Sequence, residues 1–502
     1  MNNLKLSIIL IVLGFAFSQF NPDNVGVSAS FGSVTIDNEV YNQIALRPEI
    51  PIGNFGLGLD LYFYINGDGE FYKENWDFST TKAGYRTIMD KIYYARWGRP
   101  TDPIYVRAGS LLHSTLGNGI LVNAYSNAME YPQIKRIGLD FKANAAGLGF
   151  EYIQSDFKRT PGIMALRVSG SVMPNMSAGF SIVTDPNQNA GLGDRDEDGY
   201  PDVFDHFPDN DQMYDEAQEN KDEWYPIWES SVDTANITFD NWFDSLPLNH
   251  NRFETSTYKK DGVSGFSFDL VYALNKNISF YAQFAQLLGE TIDPEDGQCN
   301  DIVNCDVKTN LGQGFVPIGM QSTFGPLNFK AECRVNSRNF LFNYWDRSYD
   351  VTRAVYSEGQ IITRESQLYK YGKMSGIYAE MFSNLFNVIT LGAGYQDLVG
   401  EQWDESEMEY IEDSNRSLKA MMELNTSIVP KLKKAQIFYM QNNVKNPFDF
   451  DATPSTVYGF DLSLQMNNSM MLVYKSRTTF VDTGSGVEPV NSAQFETQIL
   501  FN

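Results

Sequence analysis

Residues 326–335 read Pro-Leu-Asn-Phe-Lys-Ala-Glu-Cys-Arg-Val, and apolar and polar side chains alternate through the stretch. One set is Leu327, Phe329, Ala331, Cys333 and Val335, and the other is Asn328, Lys330, Glu332 and Arg334. Successive side chains of a β-strand point to opposite faces. The pattern therefore predicts a strand with one apolar face and one charged face.

The same two-residue period recurs along the chain. It is seen in residues 55–64, 104–110, 137–143, 263–274, 278–286, 418–425, 456–466 and 491–501. Strands of about ten residues exceed the usual five or six and match the length that a tilted strand needs to cross a bilayer. The charged face suits a water-filled or plugged lumen, and the apolar face can meet lipid. A soluble β-sandwich with its charged face in water is the alternative.

Short and long connections alternate between these segments. Short turns fall at residues 52–54, 144–146, 174–175, 275–277, 325–326, 429–430 and 467–468, each with Gly, Pro or Asn. Long polar connections fall at about 65–86, 114–133, 186–262, 289–312, 337–372, 398–414 and 481–490. This layout is typical of outer-membrane barrels. We predict an all-β fold over residues 19–502: an antiparallel up-and-down transmembrane β-barrel of 16–20 strands with long extracellular loops.

The two ends of the chain indicate export. Lys5, the apolar run Leu6–Phe17 and the small residues Ala16 and Ser18 predict a signal peptide at residues 1–18, with an N-terminal membrane anchor as the alternative. Residues 491–501 resemble the final strand of Gram-negative outer-membrane barrel proteins, although Asn502 follows the terminal aromatic Phe501. The resemblance implies a porin-like barrel in the cell outer membrane, with membrane lipid and the barrel assembly machinery as partners.

Charge is distributed unevenly. The 502 residues include 63 Asp plus Glu and 38 Lys plus Arg, a formal charge of −25, which argues against a nucleic-acid-coating protein. Residues 186–262, hereafter the acidic loop, hold 19 acidic and 5 basic residues, a net −14. The rest of the chain is closer to balance, so a lumen of mixed charge and weak ion selectivity is expected.

One twelve-residue stretch of the acidic loop predicts a Ca²⁺ site. Gly199 stands at its sixth position and permits a sharp turn. Ca²⁺ takes six to eight oxygen ligands, which alternate acidic residues in a tight turn can supply. The expected ligands are the carboxylates of Asp194, Asp196, Asp198, Asp202 and Asp205 and the carbonyl of Tyr200. A solvated acidic loop without bound metal is the alternative.

Residues 194–211 resemble a bacterial thrombospondin type 3 repeat, whose pattern is D-x-D-x-D-G-x-x-D-x-x-D. The resemblance implies that Ca²⁺ orders this loop, and it covers only these residues. We expect a structural rather than a catalytic role for the metal. The double variant Asp196→Asn and Asp198→Asn should abolish tight Ca²⁺ uptake, measured by calorimetry.

The three cysteines separate into two kinds. Cys299 and Cys305 have five residues between them in a long polar connection of an exported chain, which favours a disulfide, with unpaired thiols as the alternative. Cys333 lies on the apolar strand face, where it is most simply a small hydrophobic residue.

Three classes of function can be compared with the sequence. A barrel of 16 or more strands can enclose an aqueous path, which favours a porin-like channel for small solutes. The large acidic loop favours instead a surface barrel that binds a partner, an extracellular ligand or a polysaccharide. A hydrolase is not expected: adjacent His113 and Ser114 would face opposite sides of a strand, a poor arrangement for a base and its nucleophile. Oligomeric state is not indicated by the sequence.

Overall fold

The computed structural model describes most of the barrel. It covers residues 26–36, 39–72, 76–129, 135–157, 161–194, 201–204, 221–231, 237–239, 241–242, 261–295, 307–357, 360–386, 388–424, 429–453, 455–467, 470–482 and 487–501. The predicted signal peptide at residues 1–18 lies outside these ranges.

One large antiparallel sheet forms the body of the protein. It contains 21 strands: β1 Gly26–Ile36, β2 Glu39–Ile52, β3 Phe55–Leu59, β4 Leu61–Ile65, β5 Ile92–Trp97, β6 Ile104–Gly109, β7 Gly138–Ala145, β8 Leu148–Gln154, β9 Met164–Met173, β10 Met176–Asp185, β11 Val263–Asn275, β12 Ile278–Leu288, β15 Gln313–Phe324, β16 Leu327–Asn336, β19 Tyr371–Leu385, β20 Ile389–Asp404, β21 Glu409–Leu424, β22 Leu432–Val444, β23 Val457–Asn467, β24 Met470–Asp482 and β25 Val487–Phe501. Two small hairpins lie outside it: β13 Glu290–Ile292 with β14 Lys308–Asn310, and β17 Ala354–Ser357 with β18 Gln360–Thr363.

Each strand of the large sheet pairs with its neighbours in chain order, as in an up-and-down barrel. β3 and β4 both pair with β2 and are separated only by Asp60. If they are counted as one interrupted strand, the 21 strands of the sheet occupy twenty positions around the barrel. The final strand β25 also pairs with β1, over the five residues Val27–Phe31. The predicted antiparallel up-and-down barrel and its range of 16–20 strands are confirmed.

The exposure of the two faces separates a transmembrane barrel from a soluble sandwich. In β11, Phe268 and Leu270 are 51% and 40% exposed, whereas Ser267 and Asp269 are each 6% exposed. The alternation predicted in β16 behaves in the same way: Cys333 is exposed, and its neighbours Glu332 and Arg334 are buried. Apolar side chains thus face outward and charged ones face inward. Lipid covers such an apolar outer face favourably, whereas contact of the same face with water would be costly.

Several predicted boundaries were wrong. Residues 398–404 and 409–414 are strand, because β20 and β21 extend for 16 residues each and leave only residues 405–408 as a turn. The described residues 481–482 and 487–490 are likewise strand, in β24 and β25. In β20 and β21 the polar side chains resemble a loop in sequence, but the backbone pairing continues to Asp404 and Glu409. That turn is capped by the Asp404 carboxylate, which accepts the backbone N–H groups of Ser406 and Glu407 at 2.8 and 3.0 Å.

The strand predicted at residues 55–64 is interrupted at Asp60. Its backbone N–H donates to Lys91 O at 2.8 Å, and its buried carboxylate pairs with Arg47 at 3.1 Å. The backbone of Asp60 therefore does not pair with β2.

Helices are few in the described ranges. They are α1 Thr81–Asp90, α2 Lys221–Ser231 and α3 Tyr349–Thr352, with 3₁₀ turns at Gln188–Gly191 and Leu368–Lys370. In this part of the chain, no helix is both long and apolar enough to cross a membrane.

Candidate functional site in the barrel lumen

A hairpin enters the lumen from the connection between β6 and β7. We call residues 110–129 the inner hairpin. Ser114 and Tyr125 exchange both backbone hydrogen bonds, at 2.8 and 2.9 Å. At its base, the Asn127 side chain accepts from the backbone N–H of Leu111 at 2.7 Å and donates to Ser155 O at 2.7 Å. The hairpin is therefore closed on itself and fixed to the wall next to β8.

The tip of the inner hairpin reaches the charged wall in mid-strand. Lys330 Nζ of β16 donates to Asn118 O at 2.8 Å, and Gln321 Nε2 of β15 lies 3.3 Å from the Asn118 side-chain oxygen. Gly117 adopts a φ of +58°, and a Cβ there would lie 2.8 Å from Arg167 Nη1 of β9. Only glycine combines this backbone conformation with so close an approach to the wall without strain.

A second segment joins the hairpin from the connection between β16 and β19. We call residues 337–370 the inner loop. Trp345 N donates to Leu121 O at 3.0 Å, Asn123 N donates to Trp345 O at 3.1 Å, and Val122 and Trp345 form a parallel bridge. Two connections far apart in sequence thus make one body inside the barrel.

This body has an apolar core shared with the wall. The hairpin contributes Leu111, Leu116, Ile120, Leu121, Val122 and Tyr125, the inner loop Phe340, Leu341, Phe342, Tyr344, Trp345, Tyr349 and Leu368, and the wall Ile153, Ala165, Val183, Val263, Ala285, Leu287 and Val316 among others. All are buried. The inner positions of β8–β15 near the long loops are thus apolar or small because they pack on the inner loop and hairpin. We call this part of the lumen the filled side.

A buried polar network fixes the inner loop to the end of β10. Asp185 Oδ2 accepts from Tyr349 Oη at 2.8 Å and from Arg353 Nη1 at 3.1 Å. Arg353 also donates to Ala190 O at 2.8 Å, at the start of the acidic loop. Tyr125 Oη donates to Asp350 Oδ2 at 2.7 Å, which ties the hairpin to the same helix α3. Breaking a buried pair by removing one partner typically costs several kcal/mol, so these bonds hold the inner loop in place.

Ion pairs cover the wall around this body. Arg167 forms a bidentate pair with Asp269 and lies 3.4 Å from Glu151. Glu332 pairs with both Lys330, at 3.0 Å, and Arg334, at 2.6 Å. Arg334 lies 1% exposed, donates to Gln396 Oε1 at 2.6 Å and stacks 4.0 Å from the centre of the Tyr378 ring. The mixed charge expected for the lumen is confirmed for these strands.

The side of the lumen lined by β19–β24, which we call the open side, holds an excess of cations. Arg347 of the inner loop is exposed, Lys419 of β21 is partly exposed, and neither has an ion pair with any described residue. Lys434 and Arg477 share one carboxylate, that of Asp461, at 3.0 and 2.7 Å. Water therefore reaches a wall on which positively charged side chains outnumber the carboxylates that pair with them among the described residues.

The electrostatics of the inner loop differ from those of this wall. Burial by itself would raise the pKa of Asp346, but the Arg364 guanidinium at 3.3 Å lowers that pKa below its usual range. Asp346 is thus a carboxylate whose negative charge is balanced by Arg364. Arg347, the next residue, is a cation without an ion pair among the described residues, and it faces the open side.

A cavity of about 510 Å³ lies at the short-turn end of the barrel. It is lined by Asn275–Asn277, Gln321 and Asn328, and also by Lys330 and Glu380. Since Gln321 and Lys330 also hold the hairpin tip, this cavity lies directly below the hairpin.

The predicted Ca²⁺ ligands fall only partly within the described residues. Asp196, Asp198, Tyr200 and Asp205 lie outside them. Asp194 and Asp202 are described, and Asp202 N donates to Gly193 O at 2.7 Å. A Cβ on Gly193 would lie 3.3 Å from Asp202 Oδ2, so the ninth position of the motif lies beside the residue that precedes its first position. Cys299 and Cys305 are also outside the described ranges, and Cys333 is a free thiol.

Sequence reasoning missed the residues that fill the lumen. The connections at 114–133 and 337–372 were predicted as loops, but the sequence did not predict that they fold into the lumen. Their apolar content was a usable signal: Leu116–Tyr125 and Phe340–Trp345 are too apolar for loops exposed to water.

Comparison with known proteins adds only remote likeness. No protein-family model matches the chain, and no curated protein matches its sequence. Among solved structures it is similar to the outer membrane protein opdK of Pseudomonas aeruginosa, at 9% identity over 95% of this chain and 97% of that one, with a TM-score of 0.32. OccK8 (OprE) of the same organism has 11% identity, the same coverages and a TM-score of 0.31. For OccAB4 of Acinetobacter baumannii the identity is 6%, the coverages are again 95% and 97%, and the TM-score is 0.33.

Proposed function

We propose that this protein is an outer-membrane channel that lets small solutes pass along the open side of its lumen. The observation that carries the proposal is the uneven filling of the barrel. The inner hairpin and inner loop occupy the filled side, while Arg347, Glu380 and His113 remain exposed to water inside the barrel. Charged groups are costly to remove from water, so their exposure supports a water-filled space beside the inner hairpin and inner loop.

The proposed selectivity is weak and favours anions. Arg347 and Lys419 lack ion pairs with described residues, and Asp461 is shared by two cations. A positive wall raises the local concentration of anions near it. The paired charges elsewhere in the lumen limit the preference, so strong exclusion of cations is not expected.

Single-channel recording in planar bilayers tests the proposal. Refolded protein should give steady unitary steps, and a salt gradient should give a reversal potential displaced toward that of the anion. Heat-modifiable migration in a detergent gel would first establish that the barrel has refolded. A correctly refolded protein that gives no steps would contradict the channel.

Assembly and location form part of the same proposal. The exposed apolar outer face needs membrane lipid, and the end of β25 pairs with β1, where a terminal signal would act during insertion. We propose export through the signal peptide at residues 1–18 and insertion by the barrel assembly machinery. Cell fractionation of the full chain tests this: recovery in the soluble periplasmic fraction would contradict it.

Ca²⁺ in this proposal stabilises the acidic loop. The contact between Gly193 and Asp202 supports a ligand set made from Asp194, Asp196, Asp198, Tyr200, Asp202 and Asp205, because it brings the ninth position of the motif close to the first. Calorimetry with Ca²⁺ should show uptake by the wild type, with loss in the Asp196→Asn and Asp198→Asn double variant. Equal uptake by both would eliminate the site.

A surface-binding role is the second candidate, and one observation favours it. Tyr225 and Trp228 of α2 contact the ring of Phe239 at 5.1 and 5.7 Å, and Phe239 packs on Trp242 at 6.1 Å. Tyr225 is 46% exposed. Aromatic rings grouped on a loop suit an extracellular ligand or a polysaccharide. Binding of polysaccharides to the wild type but not to Tyr225→Ala, in the absence of conductance, would favour this role over a channel.

A further inference from the structure

Two glycines of β20 leave a bare stretch of backbone on the lumen wall. Gly392 and Gly394 belong to the inward-facing set of this strand, because Gln396, two residues further on the same face, accepts a hydrogen bond from Arg334 inside the barrel at 2.6 Å. Neither glycine has a positive φ, so no turn requires it. Glycine within a strand weakens that strand, and it often marks a place where a ligand comes close to the backbone.

Apolar side chains border Gly392 on both sides. Phe382 of β19 and Met421 of β21 are its direct partners across the strand pairs. A Cβ on Gly392 would lie 3.5 Å from Met421 Cε and 3.6 Å from Phe382 Cδ2, so both side chains lie against the glycine. Phe382 is 43% exposed although it faces the interior. Part of this apolar surface therefore meets water inside the barrel.

Opposite charges border Gly394 in the same way. Its direct partners are Glu380 of β19 and Lys419 of β21. Glu380 accepts a hydrogen bond from Tyr378 Oη, but neither Glu380 nor Lys419 has an ion pair with any described residue. Adjacent strands lie about 4.8 Å apart, so the two charges stand on strands roughly 10 Å from each other with only a glycine between them. They are too far apart to satisfy each other without a bridging group.

The space next to this stretch of wall can hold a small solute. Glu380 and Phe382 line the cavity of about 510 Å³, and sites for small molecules usually have volumes of about 300–1,000 Å³. His113 of the inner hairpin lies within electrostatic range of Glu380, so the hairpin faces this wall across the lumen. Lys330 also lines the cavity, but it is already paired with Glu332 at 3.0 Å. Glu380 is therefore the carboxylate that a solute can use.

We propose that this part of the wall binds a small zwitterion that carries an apolar group, the chemistry of leucine. The binding residues, which we call the slot, are Glu380, Phe382, Gly392, Gly394, Lys419 and Met421. Above Gly394, the ammonium group of the solute pairs with Glu380 and its carboxylate pairs with Lys419. The apolar group lies on Gly392 between Phe382 and Met421, where burial of its surface is favourable. The inference deepens the proposed channel and rests on it for passage of the solute, but binding can be measured separately.

Equilibrium dialysis of the refolded full-length protein tests the slot. Leucine and asparagine have similar shapes and the same charges, and leucine should bind about five- to tenfold tighter because its side group is apolar. Isopentylamine lacks the carboxylate of leucine and isocaproate lacks its ammonium group, so each should bind more weakly than leucine. Leucine that bound no tighter than asparagine, or no tighter than either analogue, would overturn the proposal.

Two variants test the named residues. Gly392→Ala places a methyl group at ordinary contact distances, so the strand can accept it, but the methyl occupies the position of the apolar group and should weaken leucine binding severalfold. Met421→Gln keeps the length of the side chain and should remove most of the preference for leucine over asparagine. The matched control is Met422→Gln on the outer face, where Met422 is 44% exposed, and it should bind as the wild type does. Heat-modifiable migration shows which variants have refolded. If the refolded Gly392→Ala and Met421→Gln proteins bind leucine like the wild type, the slot is wrong.

Conductance in planar bilayers separates the slot from the channel. In a conducting barrel, leucine should reduce the current at concentrations near its dissociation constant, and asparagine should do so only at higher concentrations. If leucine binds as expected but the protein gives no unitary steps, the slot stands and the channel is wrong. If steps occur and leucine does not bind, the channel stands and the slot is wrong.

Discussion

The two sides of the lumen are built from the same strand pattern and do different things. On the filled side, inner positions such as Ala165, Val183 and Leu287 are apolar and buried beneath the inner loop and hairpin. On the open side, the corresponding positions include Lys419 and Arg477, which water reaches. Alternation thus determines which face of a strand points inward, but not what the inward face contacts.

The difference shows how a wide barrel can be narrowed without changing its strand number. Apolar residues placed on the inner face of β8–β15 attract the inner loop and hairpin, because burying apolar area is favourable. Charged residues on β19–β24 stay hydrated and leave that side free. The space left open in the lumen is therefore off-centre, against one arc of the wall, and the proposed path for solutes runs there.

Trp345→Ala should break this arrangement and gives the largest expected effect. Trp345 is fully buried between Tyr344 and Tyr349, and its truncation should cost about 3–5 kcal/mol of local stability. Hydrogen exchange in the inner loop should rise sharply, and unitary conductance should increase as the filled side loosens. Phe268→Ala on the lipid-facing side is the control and should leave conductance unchanged. A Trp345→Ala channel of normal conductance and exchange would show that the core does not hold the filled side.

Gly117→Ala tests the contact between the hairpin tip and the wall. A non-glycine residue in this left-handed conformation costs about 1–3 kcal/mol, and its Cβ would press on the Arg167–Asp269 pair. We expect a smaller rise in conductance than with Trp345→Ala. Gly53 has a similar φ of +60° with nothing within 4 Å, so Gly53→Ala carries the strain without the contact. Equal changes in conductance in both variants would mean that the tip contact is irrelevant.

Lys419→Glu sharpens the account of the open side. Replacing this cation, which has no ion pair among the residues described, by an anion should lower the ratio of anion to cation permeability about two- to fivefold, since two unit charges a few ångströms apart interact by about 1 kcal/mol even in water. The reversal potential in a salt gradient reports the change. Lys373→Glu is the control, because Lys373 lies on an exposed position of β19 that faces outward. A shift of the same size in both would place the selectivity outside the lumen.

Cys333 gives the smallest effect, and it tests the faces directly. In a variant with Cys299→Ser and Cys305→Ser, the exposed thiol of β16 should react with a lipid-soluble maleimide and resist a water-soluble one in membranes. In denaturant both reagents should react. Rapid labelling by the water-soluble reagent in intact membranes would reverse the assignment of the two faces.

The fold was more predictable from sequence than the site. Period-two alternation is a local property, and it was sufficient to assign the faces of Glu332, Cys333 and Arg334 correctly. The path of a connection depends on partners far away: Val122 meets Trp345, and Tyr349 meets Asp185. No spacing in the sequence indicates such pairs. The break at Asp60 was missed for the same reason, since its carboxylate is held by Arg47 from the adjacent strand.

The bond from Tyr125 to Asp350 spans 225 residues, and this separation has a consequence for assembly. The hairpin emerges early, but it cannot complete its packing until the inner loop has been delivered by β16. Closing so long a segment is entropically costly and slow, because contacts distant in sequence form only after the intervening chain is organised. We therefore expect a stage of assembly in which part of the wall has formed and the inner hairpin still lacks its partner. In that stage the apolar inner surface of β8–β15 would lack the inner loop that covers it in the finished barrel.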